Sequence, residues 1–218
     1  MKQFYQKNKI ELGIDEAGRG CLFGPICVGS VILGDIELNP PPCEIKDSKK
    51  CSPTKRKLLR DYIETNSVAF NVQFIWENDI DSLNVLQATC KGMHQWVDEI
   101  QKQMNIDTIL VDGNYFPAYF DNDCEWIDHI CIPNGDNTYL NIAAASIVAK
   151  EYRDEYILNL VKENPILERY AIQKNKGYGT AIHMKAIEKY GITEWHRKSF
   201  KPCSEKNIMN TKNDSGSC

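Results

Sequence analysis

The chain has no hydrophobic run that approaches the roughly 20 residues needed to cross a bilayer, which argues against a membrane span. Residues 1–5 also lack the apolar segment of a signal peptide. No two of the nine cysteines form a Cys-x-x-Cys pair, and the four histidines form no His-x-x-x-His pair, so zinc-type spacing is missing. We therefore expect a soluble, cytoplasmic protein with free thiols and no membrane partner.

Positive charge is in slight deficit, with 26 Lys and Arg against 30 Asp and Glu and a net charge of −4. A negative balance weakly disfavours binding of a polyanion, because phosphate contacts need local positive charge. The basic residues are unevenly distributed, however, and crowd residues 46–60 and 174–201. Each cluster is either a solvated face or a surface for phosphates, and composition leaves both interpretations open.

Hydrophobic periodicity predicts strands that alternate with helices. Five strands are indicated, at residues 10–15, 26–33, 68–76, 108–112 and 128–132. Helices are indicated over residues 53–64, 81–104, 141–163 and 180–190. This order predicts an α/β protein whose five-stranded mixed sheet is flanked by helices. We expect one domain over residues 1–204 and a disordered polar tail over 205–218.

Acidic residues follow two of the predicted strands. Asp15 and Glu16 stand at the end of the first strand, directly before a Gly-Arg-Gly turn at 18–20. Because consecutive strand residues point to opposite faces, both can share one site only where the strand ends. Asp112 ends the strand at 108–112 and lies near Asp15 if the two strands are neighbours. A solvated acidic pair and an ordinary Asp-Gly turn are the alternatives.

Residues 13–25, Gly-Ile-Asp-Glu-Ala-Gly-Arg-Gly-Cys-Leu-Phe-Gly-Pro, resemble the first signature of the ribonuclease HII family, the type 2 ribonucleases H. Other segments also resemble that family, namely residues 47–50, 109–114, 133–136, 142–150, 176–180 and 195–200. The last of these is expected either to contact nucleic acid or to pack. The resemblance extends over residues 10–202 and implies the ribonuclease H-like fold with a helical C-terminal extension.

The resemblance also implies a metal site. Asp15, Glu16, Asp112 and Asp136 are the expected catalytic residues and metal ligands. Carboxylates without a histidine suit Mg²⁺ or Mn²⁺ rather than zinc, and the expected mechanism uses two ions. Asn134 departs from the family pattern, which has a lysine there. The other acids of the long 113–135 segment are expected in a solvated loop; they are Asp121, Asp123, Glu125 and Asp128.

Five further residues are implied to bind substrate. The backbone of Gly18, Arg19 and Gly20 is expected to contact the 2′-hydroxyl of the ribonucleotide at the cleavage site, where glycines allow close approach. Tyr178 is expected to stack on the sugar that follows, and Lys49 to lie near the phosphate.

The resemblance predicts an endonuclease that hydrolyses the phosphodiester 5′ to a ribonucleotide, in RNA–DNA hybrids and at single ribonucleotides in duplex DNA. The products would carry 3′-hydroxyl and 5′-phosphate ends, and we expect a monomer. Arg19 and the early first strand favour this family over ribonuclease HIII, which has an additional N-terminal domain. A non-catalytic nucleic-acid-binding relative of the same fold stays open, as does a ribonuclease H-like DNA nuclease or transposase.

Overall fold

The computed structural model describes residues 1–120 and 124–206, and a six-stranded mixed sheet lies at its centre. The strands are β1 Glu11–Ala17, β2 Ile26–Leu33, β3 Ser67–Ile75, β4 Thr108–Asp112, β5 Tyr119–Phe120 and β6 Trp126–Ile132. Their order in space is β3-β2-β1-β4-β6-β5. β1, β2 and β3 pair antiparallel, β1, β4 and β6 run parallel, and β5 is antiparallel to β6. The carboxyl ends of β1, β4 and β6 therefore share one edge of the sheet.

The helices of the described residues are α1 Pro53–Asn66, α2 Glu77–Leu83, α3 Val85–Gln101, α4 Leu140–Glu163, α5 Ile172–Asn175 and α6 Ala181–Tyr190. Their caps follow the sequence, since the side chains of Ser52 and Thr180 accept hydrogen bonds from backbone N–H groups three residues ahead. None of these helices is long and apolar enough to cross a membrane.

The strand count predicted from the sequence is wrong by one. Tyr119 and Phe120 form a short additional strand, paired with the first two residues of β6. Two residues are too few to show a hydrophobic period, so the pattern did not reveal this strand.

The helix predicted from Asp81 is in fact two helices. Asn84 has a φ of 70° and interrupts the chain between α2 and α3. Its side chain accepts hydrogen bonds from the N–H groups of Leu86 and Gln87, at 3.0 and 3.1 Å, and so begins α3. The periodic apolar positions continue across this break, which is why the sequence suggested one helix.

The sheet separates two apolar layers. α2 and α3 cover the face that carries Leu12 and Ile14, whereas α1 and α4 cover the opposite face. Because side chains alternate along a strand, Gly13 and Asp15 lie on the α4 face. The alternation of side chains along β1 therefore places Asp15 on the face of the sheet that α4 covers.

Helix α4 lies very close to β1 and β2. Its residues 142–149 are all buried. The close approach depends on Gly13 and Gly29, because a methyl group on Gly13 would overlap Asn141 and one on Gly29 would overlap the Ala145 carbonyl oxygen. Asn141 also donates from Nδ2 to the backbone of β1 and accepts at Oδ1 from that of β2, at 2.6 and 3.1 Å. Together these contacts fix the position of α4 on the sheet.

The C-terminal part of the described chain forms the helical extension that the resemblance implies. α5 and α6 pack with the second half of α4 and with Phe23, which follows β1, in a separate apolar cluster. A short helical turn at Cys203–Glu205 closes the extension. Residues 207–218, most of the predicted tail, lie outside the described residues.

Gly29→Ala is expected to destabilise the protein by about 1–3 kcal/mol, because the methyl group overlaps backbone that can move only if α4 leaves the sheet. For a chain of this length the Tm should fall by roughly 2–12 °C in differential scanning calorimetry. Gly20→Ala is the matched control, since its Cβ would meet nothing within 4 Å. Equal Tm values for the two variants would contradict the close packing of α4.

Candidate active site

Three segments deliver carboxylates to one edge of the sheet. β1 pairs in parallel with β4, and the register that ends with Ile14 beside Val111 brings Asp15 beside Asp112, the last residue of β4; β1 itself continues along β2 to Ala17. Glu16 is the next residue of β1, and Asp136 lies in the helical turn Gly135–Asn137 that follows β6. The structure thus brings together all four acids that the sequence indicated.

A hydrogen bond from the turn after β6 holds Asp112. The Gly135 N–H donates to Asp112 Oδ1 at 2.7 Å, and the Asp136 N–H lies 3.4 Å from the same oxygen. Asn134, which stands in place of the family's lysine, has a φ of 57°, in the left-handed region that asparagine tolerates better than most residues. The turn therefore keeps Asp136 beside Asp112 despite the departure at Asn134.

Asp15 is buried beneath α4, where two polar groups contact its carboxylate. The Glu16 N–H donates to Asp15 Oδ1 at 2.7 Å, and the Ser146 hydroxyl also forms a hydrogen bond with Asp15. Ser48 Oγ in turn lies 2.9 Å from Ser146 Oγ. Burial, followed by the charges of Glu16 and Asp112, raises the pKa of Asp15 well above its ordinary value, and the two hydrogen bonds only partly oppose this.

The neighbouring carboxyl groups are affected in the same direction. Burial raises the pKa of Glu16. The charge of Arg19, whose Nη1 lies 3.5 Å from Glu16 Oε1, opposes this shift, whereas the charge of Asp112 adds to it. Burial, followed by the charges of Asp112 and Asp47, raises the pKa of Asp136. The cluster carries more negative charge than its surroundings neutralise, and it therefore favours cations.

Lys49 is an exposed basic residue that faces these carboxylates. Its partial burial disfavours the charged form, but the charges of Asp136 and Asp15, with those of Asp47 and Asp112, outweigh this effect and raise the pKa of Lys49. Lys49 therefore stays protonated at neutral pH, at a position where it can contact a phosphate.

The donor set suits a hard divalent cation. Carboxylate oxygens, without histidine or cysteine, are the protein ligands that Mg²⁺ and Mn²⁺ prefer. Within residues 1–120 and 124–206, no three acidic, histidine or cysteine side chains are arranged to hold an ion as they stand. Closing on an ion therefore requires rotation of carboxylates whose backbone is fixed at the strand ends.

Sequence reasoning missed two polar residues beside the acids, Asp47 and Asn137. Asp47 is buried, and its Oδ1 accepts a hydrogen bond from the Lys49 N–H at 2.9 Å. Asn137 Nδ2 lies 3.5 Å from Asp47 Oδ2 and donates to Asp136 Oδ1 at 2.8 Å, while Lys50 Nζ donates to Asn137 Oδ1. The family resemblance of residues 47–50 pointed to Asp47. It could not show that Asp47 contacts Asn137, which lies 90 residues further along the chain.

Arg197 is fully buried and holds the 18–20 turn through its backbone. Its guanidinium donates to the carbonyl oxygens of Gly18 and Arg19, each at 2.8 Å, and twice to that of Gly24, at 2.8 and 3.0 Å. Burial lowers the pKa of Arg197 to about 10, so it is still a cation at neutral pH. Of the segment 195–200, Arg197 therefore packs inside the protein, whereas Lys198 and Ser199 are exposed.

Two backbone donors of the 18–20 turn face away from Arg197. The C=O and N–H of a trans peptide point in opposite directions, so inward carbonyls at Gly18 and Arg19 turn the N–H groups of Arg19 and Gly20 outward. Both residues are exposed, and neither N–H has a protein acceptor among the described residues. Consecutive N–H groups of this kind form a small site for an electronegative atom, here next to Glu16.

A second buried arginine, Arg153 of α4, connects the loop after β1 to the turn that carries Tyr178. It donates to the carbonyl oxygens of Phe23, Pro25 and Lys176, at 3.0, 2.8 and 2.8 Å. The Tyr178 side chain is 44% exposed. The aromatic ring that the sequence indicated is thus available to a ligand, on a turn anchored to the same loop.

Of the four acids that were expected in a solvated loop, the structure describes two, and only one of these lies in a loop. Glu125 is exposed between β5 and β6. Asp128 is exposed but belongs to β6, where it accepts a hydrogen bond from Trp126 Nε1 at 2.9 Å. Asp121 and Asp123 lie outside the described residues.

The family model for ribonuclease HII matches residues 12–203. The chain belongs to the ribonuclease HII family. Ribonuclease HII of Cytophaga hutchinsonii is 41% identical over 200 residues, which cover 90% of this chain and 92% of the relative. That of Christiangramia forsetii is 41% identical over 206 residues, with 92% and 95% covered. The protein is accordingly a ribonuclease H enzyme, EC 3.1.26.4, as the sequence resemblance predicted.

Solved structures agree with the fold of this ribonuclease HII family member. The ribonuclease HII in a complex with PCNA from Archaeoglobus fulgidus has a TM-score of 0.65 at 23% identity, covering 88% of this chain and 95% of that one. The ribonuclease H2 of Pyrococcus horikoshii has a TM-score of 0.63 at 21% identity, with 89% and 95% covered. The predicted ribonuclease H-like fold is confirmed.

Asp15→Asn is expected to stabilise this family member when no divalent ion is present. Because the pKa of Asp15 is raised on folding, the folded state favours the protonated form, and the carboxylate costs stability as the pH rises through that raised pKa. At neutral pH the amide should raise the free energy of unfolding by an amount of the order of 1 kcal/mol, or about 2–4 °C in Tm. Differential scanning calorimetry with a chelator measures this.

Asp107→Asn is a control for which we expect the opposite change in stability. Asp107 accepts hydrogen bonds from the Ile10 N–H and from Lys9, which hold the pKa of Asp107 below its ordinary value. Its stabilising contribution is present above the unfolded pKa, so this variant should lose stability at neutral pH. A lower Tm for Asp15→Asn than for the wild type would contradict the electrostatic description of the site.

Proposed function

We propose that this ribonuclease HII cleaves the phosphodiester on the 5′ side of a ribonucleotide, both in RNA–DNA hybrids and at single ribonucleotides embedded in duplex DNA. The products would carry 3′-hydroxyl and 5′-phosphate ends. The outward N–H groups of Arg19 and Gly20, next to the acids Asp15 and Glu16, support this most directly. DNA offers no acceptor at that position of the sugar, whereas a ribonucleotide offers its 2′-hydroxyl.

The four acids would hold the divalent ions, Mg²⁺ or Mn²⁺. When bound, two such ions stabilise charge on the phosphate and lower the pKa of the attacking water. Asp15 lies next to Glu16 in sequence and beside Asp112 on the neighbouring strand, so it is our candidate for a ligand shared by both ions. Cation binding would also offset the repulsion that raises the pKa of Asp15.

The remaining residues would position the substrate. Lys49 is a protonated, exposed side chain beside Asp136 and Asp15, and it would contact a phosphate. The N–H groups of the 18–20 turn would donate to the 2′-hydroxyl. The exposed ring of Tyr178 would stack on the next sugar and favour one that lacks the 2′-oxygen.

The wild type is expected to nick a DNA duplex that contains one ribonucleotide, on its 5′ side, with Mg²⁺ or Mn²⁺. Asp15→Asn should lower kcat by about a hundred- to a thousandfold, because it removes one of the carboxylates that would hold the ions. Denaturing gels at single-nucleotide resolution measure the position and the rate, with an all-DNA duplex and a continuous hybrid run beside it.

Each unexpected result of this assay favours a different alternative. Equal cleavage of the all-DNA duplex would contradict ribose recognition and favour a DNA nuclease. Binding of the ribonucleotide duplex without cleavage, with either ion, would favour the non-catalytic relative. Cleavage by Asp15→Asn at the wild-type rate would remove Asp15 from the mechanism.

Arg197→Lys is expected to impair ribonucleotide recognition more than Arg19→Ala does. The alanine variant keeps both backbone N–H groups, whereas a lysine ammonium cannot make the four hydrogen bonds of the planar Arg197 guanidinium. The lysine variant should lose about tenfold in kcat/KM on the single-ribonucleotide duplex. Steady-state kinetics well below each variant's Tm measures this, and the opposite order would indicate that the Arg19 side chain recognises the ribose.

A further inference from the structure

Two histidines, His183 of α6 and His196, are fully buried and in contact. Their Nε2 atoms are 3.1 Å apart, and each has zero exposure. The rings of Phe23 and Tyr170 surround them, with centroids 5.0 and 5.1 Å from that of His196. These histidines lie outside the carboxylate cluster, and nothing in the proposed chemistry uses them directly.

The hydrogen bonds on either side of the pair allow only one proton arrangement. The Thr193 N–H donates to His196 Nδ1 at 2.9 Å, so this nitrogen carries no proton. His183 Nδ1 lies 2.9 Å from the Tyr178 carbonyl oxygen, which only accepts, so that nitrogen is protonated. Neutral His196 therefore donates from Nε2 to the unprotonated Nε2 of His183. A proton added to either ring would place two N–H groups face to face.

We propose that His183 and His196 are positioning residues for Tyr178, through a relay of hydrogen bonds from Thr193 across two neutral imidazoles to the Tyr178 carbonyl. The inference rests on the proposed function, in which the Tyr178 ring stacks on the sugar after the ribonucleotide. Burial, which is aided in His196 by the neighbouring His183, lowers the pKa of His196 to about 3, and burial also lowers the pKa of His183. Both rings accordingly stay neutral at neutral pH.

The relay completes the anchoring of the turn that carries Tyr178. Arg153 holds the Lys176 carbonyl at 2.8 Å on one side of Tyr178. The Tyr178 carbonyl accepts from the Thr180 N–H at 2.8 Å and from His183 on the other side. With the backbone held on both sides, the direction of the Cα–Cβ bond that carries the half-exposed ring is fixed.

The same segment also fixes the ribose-contacting turn. His196 supports Tyr178 through His183, and the next residue, Arg197, holds the 18–20 turn. One dipeptide, together with Arg153, therefore links the two elements that would contact two successive sugars. This arrangement suits an enzyme that recognises the junction between a ribonucleotide and a deoxyribonucleotide.

The test compares His183→Asn with His183→Leu. The Nδ2 of asparagine occupies the place of the histidine Nδ1 and can still donate to the Tyr178 carbonyl, whereas leucine cannot. The readout is the ratio of kcat/KM on a duplex with one ribonucleotide to that on a continuous RNA–DNA hybrid. We expect His183→Leu to lower this ratio by about tenfold, and His183→Asn, which keeps the bond to the Tyr178 carbonyl but cannot accept from His196, to restore part of it. His94→Leu, at a half-buried histidine outside the relay, should leave the ratio unchanged.

A double-variant cycle separates positioning from a general loss of structure. Tyr178→Ala alone should lower the ratio, and adding His183→Leu to it should lower the ratio no further, because the effect passes through Tyr178. Multiplying effects, or equal losses for the asparagine and leucine variants, would overturn the relay while leaving the proposed function intact. A wild type that cuts neither duplex would overturn the proposed function and the relay together.

Nitrogen-15 NMR of the imidazoles tests the relay without any substrate. We expect neutral rings at neutral pH, with the proton on Nδ1 of His183 and on Nε2 of His196. Either ring in the other tautomer, or protonated, would overturn the relay whatever the enzyme cleaves.

Discussion

The burial of Asp15 among other carboxylates at one edge of the sheet is the constraint on which the rest of this site depends. Asp15 is buried, and Glu16 and Asp112 add their charges to the effect of that burial. A protein can keep such a group only if rigid elements hold it there. That rigidity comes from the pairing of β1 with β4 and from the close packing of α4 against Gly13 and Gly29.

The recognition and the chemistry that we propose depend on different kinds of chemical group. The acids are side chains in the last residues of β1 and β4 and in the turn after β6, where a cation can offset their charge. The outward donors at Arg19 and Gly20 are backbone groups, and buried Arg197 orients them by binding the carbonyls on the other side of the same peptides. Arginine suits this role because its planar group can hold several carbonyl oxygens at once and stays charged when buried.

The sequence revealed the parts of the site that are local. Asp15 lies near the end of the apolar strand β1 and Asp112 ends β4, and parallel pairing of those strands is enough to bring them together. Asp136 and the family assignment both came from motif resemblance; the family comparison confirmed the family assignment, whereas the role of Asp136 stays a prediction. The two-residue strand β5 and the break at Asn84 were missed, since neither alters the hydrophobic period.

Contacts between distant segments could not be predicted. Asp47 meets Asn137 across 90 residues, and Arg197 reaches Gly18 across 179. His183 and His196 are 13 residues apart, a spacing with no helical or metal-binding meaning. The contact of Arg197 depends on how the C-terminal extension packs on the loop after β1, and no local pattern encodes any of these three pairs.

The most direct test of the central claim is a crystal structure of Asp15→Asn bound to a DNA duplex with one ribonucleotide, in the presence of Mn²⁺. We predict that the 2′-hydroxyl lies within hydrogen-bonding distance of the N–H groups of Arg19 and Gly20. The phosphate on its 5′ side should face Glu16, Asp112 and Asp136. A duplex bound with its ribonucleotide away from the 18–20 turn, or with another phosphate at these acids, would contradict the account.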